Sequence, residues 1–270
     1  MAFIAKNFSF NGVPCEEYGL KIYDIGSNGN DAAKFTSVGD LETDVIPSKG
    51  KQFLYGRSYE DPLEFDLIFG VYSETLKESE YLDRYEMAAI ANWLTGPTTY
   101  SWLVVEQPDL EMIRYHCIIT GLEPIHIAWL PIAFKAEVTC DSPYAYTSIK
   151  TYTYSCTDET TTFTLRSKST IDKLYYPKME IELTGDSTIS ICNETVGVTM
   201  EFTDLPTTSG ITITVDNDLG IITSSNASYS NMYQYFNFVF FPLQRGANKI
   251  TVTGTCNLTF TCEFPVNVGG

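Results

Sequence analysis

The stretch KMEIEL, residues 178–183, alternates apolar and acidic side chains with a period of two. Successive side chains of a β-strand point to opposite faces of the sheet. The apolar members of the segment therefore share one face, and Glu180 and Glu182 share the other. This pattern predicts a strand that packs its apolar face on a core and turns its acidic face to solvent.

The same alternation recurs on both sides of this segment and covers much of the chain. It is clearest in LEFDLIF (63–69), VTMEFT (198–203), ITITV (211–215), FNFVF (236–240) and LTFTC (258–262). Short alternating segments separated by Gly, Pro, Asn and Asp are typical of antiparallel sandwiches and barrels. We therefore predict a mainly β protein.

One segment, ESEYLDRYEMAAIANWLT at residues 78–95, predicts an α-helix. The residues that recur at helical spacing, and that we expect to face a sheet, are Leu82, Tyr85, Ala89 and Trp93, with Ile90 and Leu94 beside them. Ser79 is a candidate N-cap, and the Gly-Pro pair that follows the segment ends the pattern.

The charge of the chain excludes one large class of function. The 270 residues carry 17 basic and 34 acidic side chains, a formal net charge of −17. Nucleic-acid-binding proteins neutralise phosphates with clustered Lys and Arg, which this sequence lacks. The aromatic run at 236–243 is interrupted by Asn237 and Pro242 and is far shorter than the ~20 residues that span a membrane. We expect neither nucleic-acid binding nor membrane insertion, and the first residues do not resemble a signal peptide.

Composition changes along the chain and suggests two domains. Residues 1–150 hold 22 acidic and 11 basic residues, whereas the remainder holds 12 and 6. The second part is also richer in Thr and Ser, which suit the solvent faces of strands. A polar break at 141–143 precedes this change. We predict an N-terminal domain of residues 1–148 and a C-terminal domain of residues 149–270.

No catalytic motif accompanies the titratable residues. The two histidines, His116 and His126, fall on consecutive predicted strands and are interpreted as structural. The seven cysteines are an odd number at irregular spacing without a CxxC, which favours buried thiols of a protein made in a reducing compartment. We therefore predict no catalytic residue, no cofactor and no metal, although Glu180 and Glu182 leave glycoside hydrolysis as the weakest alternative.

Two sets of residues are candidates for contact with other proteins. The first is the predicted turn between two strand-like flanks that could form a long hairpin arm: Pro47, Ser48, Lys49, Gly50 and Lys51. The second is a group of tyrosines near predicted loops or strand ends: Tyr152, Tyr154, Tyr175, Tyr176, Tyr229, Tyr233 and Tyr235. Aromatic residues anchor protein interfaces and stack on sugars, but they also fill β cores.

Several segments, in this order, resemble siphophage distal tail proteins. The N-terminal ones are FSFNGVPCEEYGLKIYDI, VIPSKGKQFLYGRSYEDPLEFDLIF, NWLTGP and CDSPYAYT. The C-terminal ones are LYYPKMEIELTGDSTISICNE, ITVDNDLGII and FFPLQRGANKITVTGTCNLTFTCEF. The resemblance implies an N-terminal belt domain, a partly open β-barrel or sandwich with one helix and a long hairpin. It also implies a C-terminal galectin-like antiparallel β-sandwich.

The same resemblance implies a function. Six copies of such proteins form a homo-hexameric ring at the tail tip or baseplate of the virion. That ring would contact the tail tube protein, the tape measure protein and a tail-associated hub or receptor-binding protein. The hairpin around Pro47 to Lys51 would then pair with a neighbouring subunit. We expect a structural, non-enzymatic protein made in the bacterial host cytoplasm, with host recognition delegated to a partner.

The alternative is a carbohydrate-binding module in which loop aromatics of residues 151–270 hold host cell-wall polysaccharide. A galectin-like fold does not decide between these readings, because a fold alone does not confer sugar binding.

Overall fold

The computed structural model describes residues 7–22, 40–45, 50–58, 61–71, 81–106, 113–127 and 129–267. The chain divides into two compact units, the N-terminal unit Met1–Tyr146 with Asn267–Gly270, and the C-terminal unit Thr147–Val266. Antiparallel strands dominate both units, so the predicted mainly β fold class is confirmed.

The N-terminal unit contains one large antiparallel sheet, one α-helix and a separate two-stranded ribbon. Its strands are β1 (Phe8–Phe10), β2 (Val13–Pro14), β3 (Leu20–Ile22), β4 (Asp40–Val45), β5 (Gln52–Ser58), β6 (Glu64–Val71), β7 (Ser101–Val105), β8 (Arg114–Ile127), β9 (Leu130–Cys140) and β10 (Ala145–Tyr146). The sheet runs in the order β2-β1-β7-β8-β9-β6-β3, and β10 pairs with β8. Among the described strands, β2 and β3 do not pair with each other, so the sheet does not close into a barrel.

The alternation in LEFDLIF correctly identifies the inner face of β6. Phe65, Leu67 and Phe69 are buried, whereas Glu64 and Asp66 are exposed. The prediction that the two histidines fall on consecutive strands is wrong, because both lie on the same long strand, β8. A β-bulge between Ile119 and Gly121 bends this strand between the two histidines.

The predicted helix is present as α1 (Arg84–Thr95), and a capping box defines its start. The Asp83 carboxylate accepts hydrogen bonds from the backbone N–H groups of Tyr85 and Glu86, at 2.7 and 2.8 Å. The Glu86 carboxylate accepts the Asp83 N–H at 2.9 Å, which completes the reciprocal pair. Asp83 is thus the N-cap, and the candidate Ser79 lies outside the described residues.

The buried face of α1 matches the predicted one in part. Leu82, just before the helix, and Ile90 and Leu94 are buried as expected, whereas Tyr85 and Ala89 are exposed. The orientation is set by Trp93, whose ring stacks on Tyr18 at 4.6 Å and on Phe8 at 5.8 Å between ring centroids. Its indole N–H also donates to the Phe10 carbonyl at 3.2 Å. These contacts link residues distant in sequence, so helical periodicity alone could not reveal them.

The C-terminal unit is a two-sheet antiparallel sandwich. Its strands are β11 (Lys150–Cys156), β12 (Thr160–Ser167), β13 (Lys178–Leu183), β14 (Ile189–Asn193), β15 (Val198–Phe202), β16 (Thr212–Asp216), β17 (Ile221–Ser224), β18 (Gly246–Thr253), β19 (Cys256–Cys262) and β20 (Pro265–Val266). One sheet has the order β11-β19-β13-β16-β17, and the other has the order β12-β18-β14-β15. Short 3-10 helices occupy Ala227–Tyr229 and Met232–Tyr235.

The KMEIEL segment forms the central strand β13 of the larger sheet. Met179, Ile181 and Leu183 are buried in the core between the sheets, and Glu180 and Glu182 are exposed, as predicted. The alternating FNFVF segment, in contrast, does not form a strand. Asn237 accepts the Val239 N–H in a tight turn, and Phe238 has a positive φ of 61°, which is incompatible with extended backbone.

Two fully buried asparagines fix the turn that leads into β18. The Asn193 amide donates to the Pro242 carbonyl at 2.9 Å and to the Asn248 side-chain oxygen at 3.0 Å. Asn248 in turn donates to the Gln244 carbonyl at 2.9 Å and accepts the Gln244 N–H at 2.9 Å. Side-chain amides therefore replace the ladder hydrogen bonds that the backbone lacks at this turn.

We predict that Asn248→Ala destabilises the C-terminal unit by about 2–4 kcal/mol, because it leaves several buried backbone and amide groups without partners. Urea denaturation of the full chain, followed by far-UV circular dichroism, measures the change. Asn257→Ala is the control, since that amide bonds the exposed Glu182 carboxylate and should cost less than about 1 kcal/mol. Equal losses in the two variants would contradict the buried-network explanation.

Candidate interaction surfaces

Strands β4 and β5 pair only with each other among the described strands, and together they form what we call the arm. The pairing runs from Asp40 opposite Ser58 to Val45 opposite Gln52. A bulge makes Tyr55 an extra residue between Leu54, which faces Thr43, and Gly56, which faces Glu42. The long hairpin expected from the sequence is therefore present.

The arm exposes apolar side chains that a folded monomer would normally cover. Phe53, Leu54 and Tyr55 are 38%, 63% and 70% exposed. Leu54 shares a face with Thr43, whose hydroxyl accepts the Gln52 amide at 2.9 Å. Three consecutive exposed apolar residues on a ribbon are typical of a contact surface rather than of a solvated strand.

The proposed arm tip is described only in part. Gly50 and Lys51 precede β5 and are exposed. Pro47, Ser48 and Lys49 lie outside the described residues. Their role in a subunit contact stays a prediction.

The seven tyrosines singled out from the sequence are all half-buried in the C-terminal unit. Six of them pack against its core: Tyr152, Tyr154, Tyr175, Tyr229, Tyr233 and Tyr235. Tyr176 is also half-buried, next to Tyr175. Tyr152 and Tyr154 share the core-facing side of β11 with Cys156, which explains why alternate residues of this strand are covered.

Three of these tyrosines have specific partners within the unit. The Tyr154 ring stacks on Phe163 at 3.7 Å between centroids. The Tyr175 hydroxyl accepts the Glu263 N–H at 2.8 Å, and burial raises its pKa. The Tyr233 hydroxyl donates to the Gly220 carbonyl at 2.9 Å and accepts the Ile222 N–H at 3.1 Å, so it holds the turn between β16 and β17.

Other exposed aromatic residues were not found from the sequence. Trp129, in the turn between β8 and β9, is 95% exposed and has a φ of 72°. Phe238 is 67% exposed and stacks on Tyr233 at 6.1 Å between centroids. Near it, Leu219 and Ile221 are exposed at the ends of the β16–β17 turn. The one sequence signal near Trp129 is Pro131, which interrupts the strand-like stretch at 127–138.

The outer face of the N-terminal sheet carries a polar and aromatic cluster. Trp102 faces His116 across β7 and β8, with ring centroids 4.6 Å apart. The Arg114 guanidinium lies 4.3 Å above the Trp102 ring, which is a cation–π contact. His116 Nδ1 lies 2.6 Å from Asp141 Oδ2, while His126 is exposed near the far end of β8. The two histidines therefore do not come together.

The described part of the chain contains no group of three or more His, Cys, Asp or Glu residues that could hold a metal ion. Within that same part, no helix has the length and apolar character needed to cross a membrane. The distinctive surface features are instead apolar: the arm, the β8–β9 turn and the surface around Phe238. Such a molecule is a two-unit β protein whose surface is suited to contact with other macromolecules.

Comparison with known families agrees with this class. A family model described as a phage tail protein N-terminal domain matches residues 3–142, and one described as a phage tail C-terminal domain matches residues 144–262. The chain belongs to this family of phage tail proteins. A comparison with curated proteins gives no match.

Two solved structures resemble the chain. The Dit protein of phage SPP1, described as a paradigm of the hub adsorption apparatus in phages that infect Gram-positive bacteria, is 11% identical with a TM-score of 0.67. The alignment covers 96% of this chain and 98% of that one, and at this identity it shows a shared fold. A chain of the phage p2 baseplate, in its activated conformation with Sr, is 10% identical with a TM-score of 0.46, covering 96% and 97%.

We predict that Tyr233→Phe costs about 1–3 kcal/mol of stability, because it removes both hydrogen bonds that tie the β16–β17 turn to the Met232–Tyr235 helix. Urea denaturation of the full chain measures this loss. Tyr229→Phe, in the preceding 3-10 helix, is the control and should change stability by less than about 0.5 kcal/mol. A similar small effect for both variants would show that the Tyr233 hydroxyl does not hold the turn.

Proposed function

We propose that this phage tail protein is the structural hub of the tail tip. Copies of the chain assemble into a hexameric ring that joins the tail tube to the host-adhesion device. The proposal is supported by the family match over both units and by the fold shared with the SPP1 hub protein. The protein acts by assembly and docking, without a catalytic step, in a virion built in the bacterial host cytoplasm.

The observation that carries the proposal is the isolated arm. A two-stranded ribbon is marginally stable in water, because it has two open edges and buries little apolar surface. The arm nevertheless exposes Phe53, Leu54 and Tyr55. Pairing of one arm edge with a strand of a neighbouring subunit would satisfy the open backbone groups, and packing of the apolar side chains on that subunit would cover the exposed apolar surface.

The same arrangement favours a closed ring. An arm that leaves one subunit and pairs with the next makes a heterologous, head-to-tail contact. Repetition of such a contact generates a ring when the rotation closes, and a ring is the geometry that suits the end of a hollow tail tube. The ring's other partners are the tail tube protein, the tape measure protein and a tail-associated hub or receptor-binding protein.

We predict that Leu54→Asp on the arm weakens ring assembly about tenfold or more, because it places a charge in an apolar contact. Native mass spectrometry and negative-stain microscopy of the purified full chain, at matched concentrations, measure the fraction of rings. The control is Leu174→Asp, since Leu174 is 42% exposed in the C-terminal unit, against 63% for Leu54, and belongs to none of the candidate contact surfaces. The control should assemble as the wild type does, and both variants should keep the wild-type melting temperature.

Two outcomes would count against the proposal. One is an equal loss of ring assembly in the two aspartate variants, which would show that the arm is not part of the subunit contact. The other is a wild-type chain that stays monomeric at high concentration and also fails to join purified tail tubes.

We also predict that ring formation strengthens as salt is added. Six copies at −17 each bring together a formal charge on the order of −100, and this repulsion opposes association. Salt at 0.1 M screens charges beyond about 10 Å, whereas apolar and backbone contacts are little affected. Light scattering across a salt series measures the change, and rings that dissociate on salt addition would show that ionic attraction holds the subunits together.

A further inference from the structure

Four of the seven cysteines stand directly opposite another cysteine in an adjacent strand. Cys117 faces Cys140 across β8 and β9, and Cys156 faces Cys256 across β11 and β19. All seven are free thiols. Cys192, the least buried of them, faces Thr199 and Thr251 instead.

The Cys156–Cys256 pair has the Cα spacing that a disulfide requires. The two residues occupy one register position, where Cα atoms of opposed strands lie about 4.5–5.5 Å apart. Disulfides span Cα separations of about 4.4–6.8 Å, so the spacing of opposed strands allows a bridge between this pair. The two thiols are already hydrogen bonded to each other.

The two thiols are chemically unequal. The hydrogen bond from Cys256 lowers the pKa of Cys156, whereas the same bond and burial raise the pKa of Cys256. The thiolate therefore forms first on Cys156, and the thiolate is the nucleophile in disulfide exchange.

The position of this pair also distinguishes it from Cys117 and Cys140. Both members of this pair stand at strand ends, because Cys156 is the last residue of β11 and Cys256 is the first residue of β19, and the exposed turn at 157–159 follows Cys156. In the second pair only Cys140 ends a strand, whereas Cys117 lies inside β8. Strand ends open locally more readily than strand centres, which gives a small oxidant access. Burial raises the pKa of Cys117 to about 12 and raises that of Cys140 as well, so this second pair is protected from oxidation.

We propose that Cys156 and Cys256 form a reversible cross-strand disulfide when the chain passes from a reducing to an oxidising environment. The oxidant is a low-molecular-weight disulfide, RSSR. The Cys156 thiolate attacks one of its sulfurs and releases RS⁻, which leaves a mixed disulfide on Cys156. Cys256 then loses its proton and attacks the Cys156 sulfur, which closes the Cys156–Cys256 bond and releases a second RS⁻. Overall, two protein thiols are oxidised and RSSR is reduced to two RSH.

The bond would join the two ends of the C-terminal unit. It closes a loop of about 100 residues between β11 and β19, the first strand of the unit and its last long one. A chain released into an oxidising medium would thereby gain resistance to unfolding. This inference does not depend on the proposed ring.

The full-length chain, reduced and then freed of reductant, is incubated with oxidised glutathione without denaturant near neutral pH. After acid quenching, free thiols are alkylated in denaturant and tryptic peptides are analysed by mass spectrometry. We expect peptide 151–166, which carries Cys156, to be linked to peptide 250–270, at a level about tenfold above any link between Cys117 and Cys140. A dithiol reductant should remove the link.

Peptide 250–270 contains both Cys256 and Cys262, so variants are needed to identify which of the two is bonded to Cys156. Cys262→Ser should retain the link, and Cys140→Ser should retain it too. Cys256→Ser should abolish it and leave Cys156 as the mixed disulfide with glutathione. Circular dichroism checks that each variant folds. If Cys256→Ser does not fold, the results for the wild type and Cys262→Ser decide whether Cys156 is bonded to Cys256. The proposal is overturned if the native chain forms no such link, or if Cys256→Ser keeps it while Cys262→Ser loses it.

Discussion

Every strand at the edge of a sheet presents backbone N–H and C=O groups that need hydrogen-bond partners, and this constraint governs the whole molecule. In the C-terminal unit, two sheets share a dense core, and Asn193 and Asn248 supply partners where the ladder is interrupted. The N-terminal sheet ends at two very short strands, β2 and β3. The arm is the exception, because it has two open edges and no sheet beneath it among the described strands.

Charge distribution reinforces the importance of backbone and apolar contacts. The described ion pairs, such as Lys135 with Asp66 and Lys178 with Asp216, join neighbouring strands within a unit and lie at its surface. Pairs of this kind contribute about 0–1 kcal/mol, and the remaining acidic excess repels other copies of the chain. Association must therefore come from apolar side chains and strand pairing, or from basic surfaces on partners. A ribbon such as the arm supplies both, through the exposed Phe53, Leu54 and Tyr55 and through its open strand edges.

Local sequence patterns correctly predicted the structural features that depend only on residues close together in sequence. The buried and exposed faces of the strands KMEIEL and LEFDLIF were predicted correctly, because alternation with a period of two identifies the buried face whenever only one side of a strand is covered. The exposure of Tyr85 and Ala89 on α1 was missed because the helix is oriented by Trp93 meeting Tyr18 and Phe8. The two cysteine pairs were equally invisible, since Cys156 and Cys256 meet only when the register of β11 and β19 is known. The family resemblance identified the architecture, but it could not show that the chosen tyrosines are half-buried.

The FNFVF segment shows why alternation alone does not define a strand. Asn237 bonds the Thr199 carbonyl and closes a turn on Val239, while the buried Asn217 accepts the Phe241 N–H. These amides hold the segment in an irregular path and leave Phe238 in a left-handed conformation, at a cost of roughly 1–2 kcal/mol for an L-residue. Trp129 is held in the same region of backbone space at the β8–β9 turn. Burial offsets little of this cost, because Trp129 is 95% exposed and Phe238, whose ring lies 5.9 Å from that of the buried Phe236, is still 67% exposed. Strained, exposed aromatic residues are typical of contact surfaces, so we expect these two positions, together with the arm, to contact partner proteins.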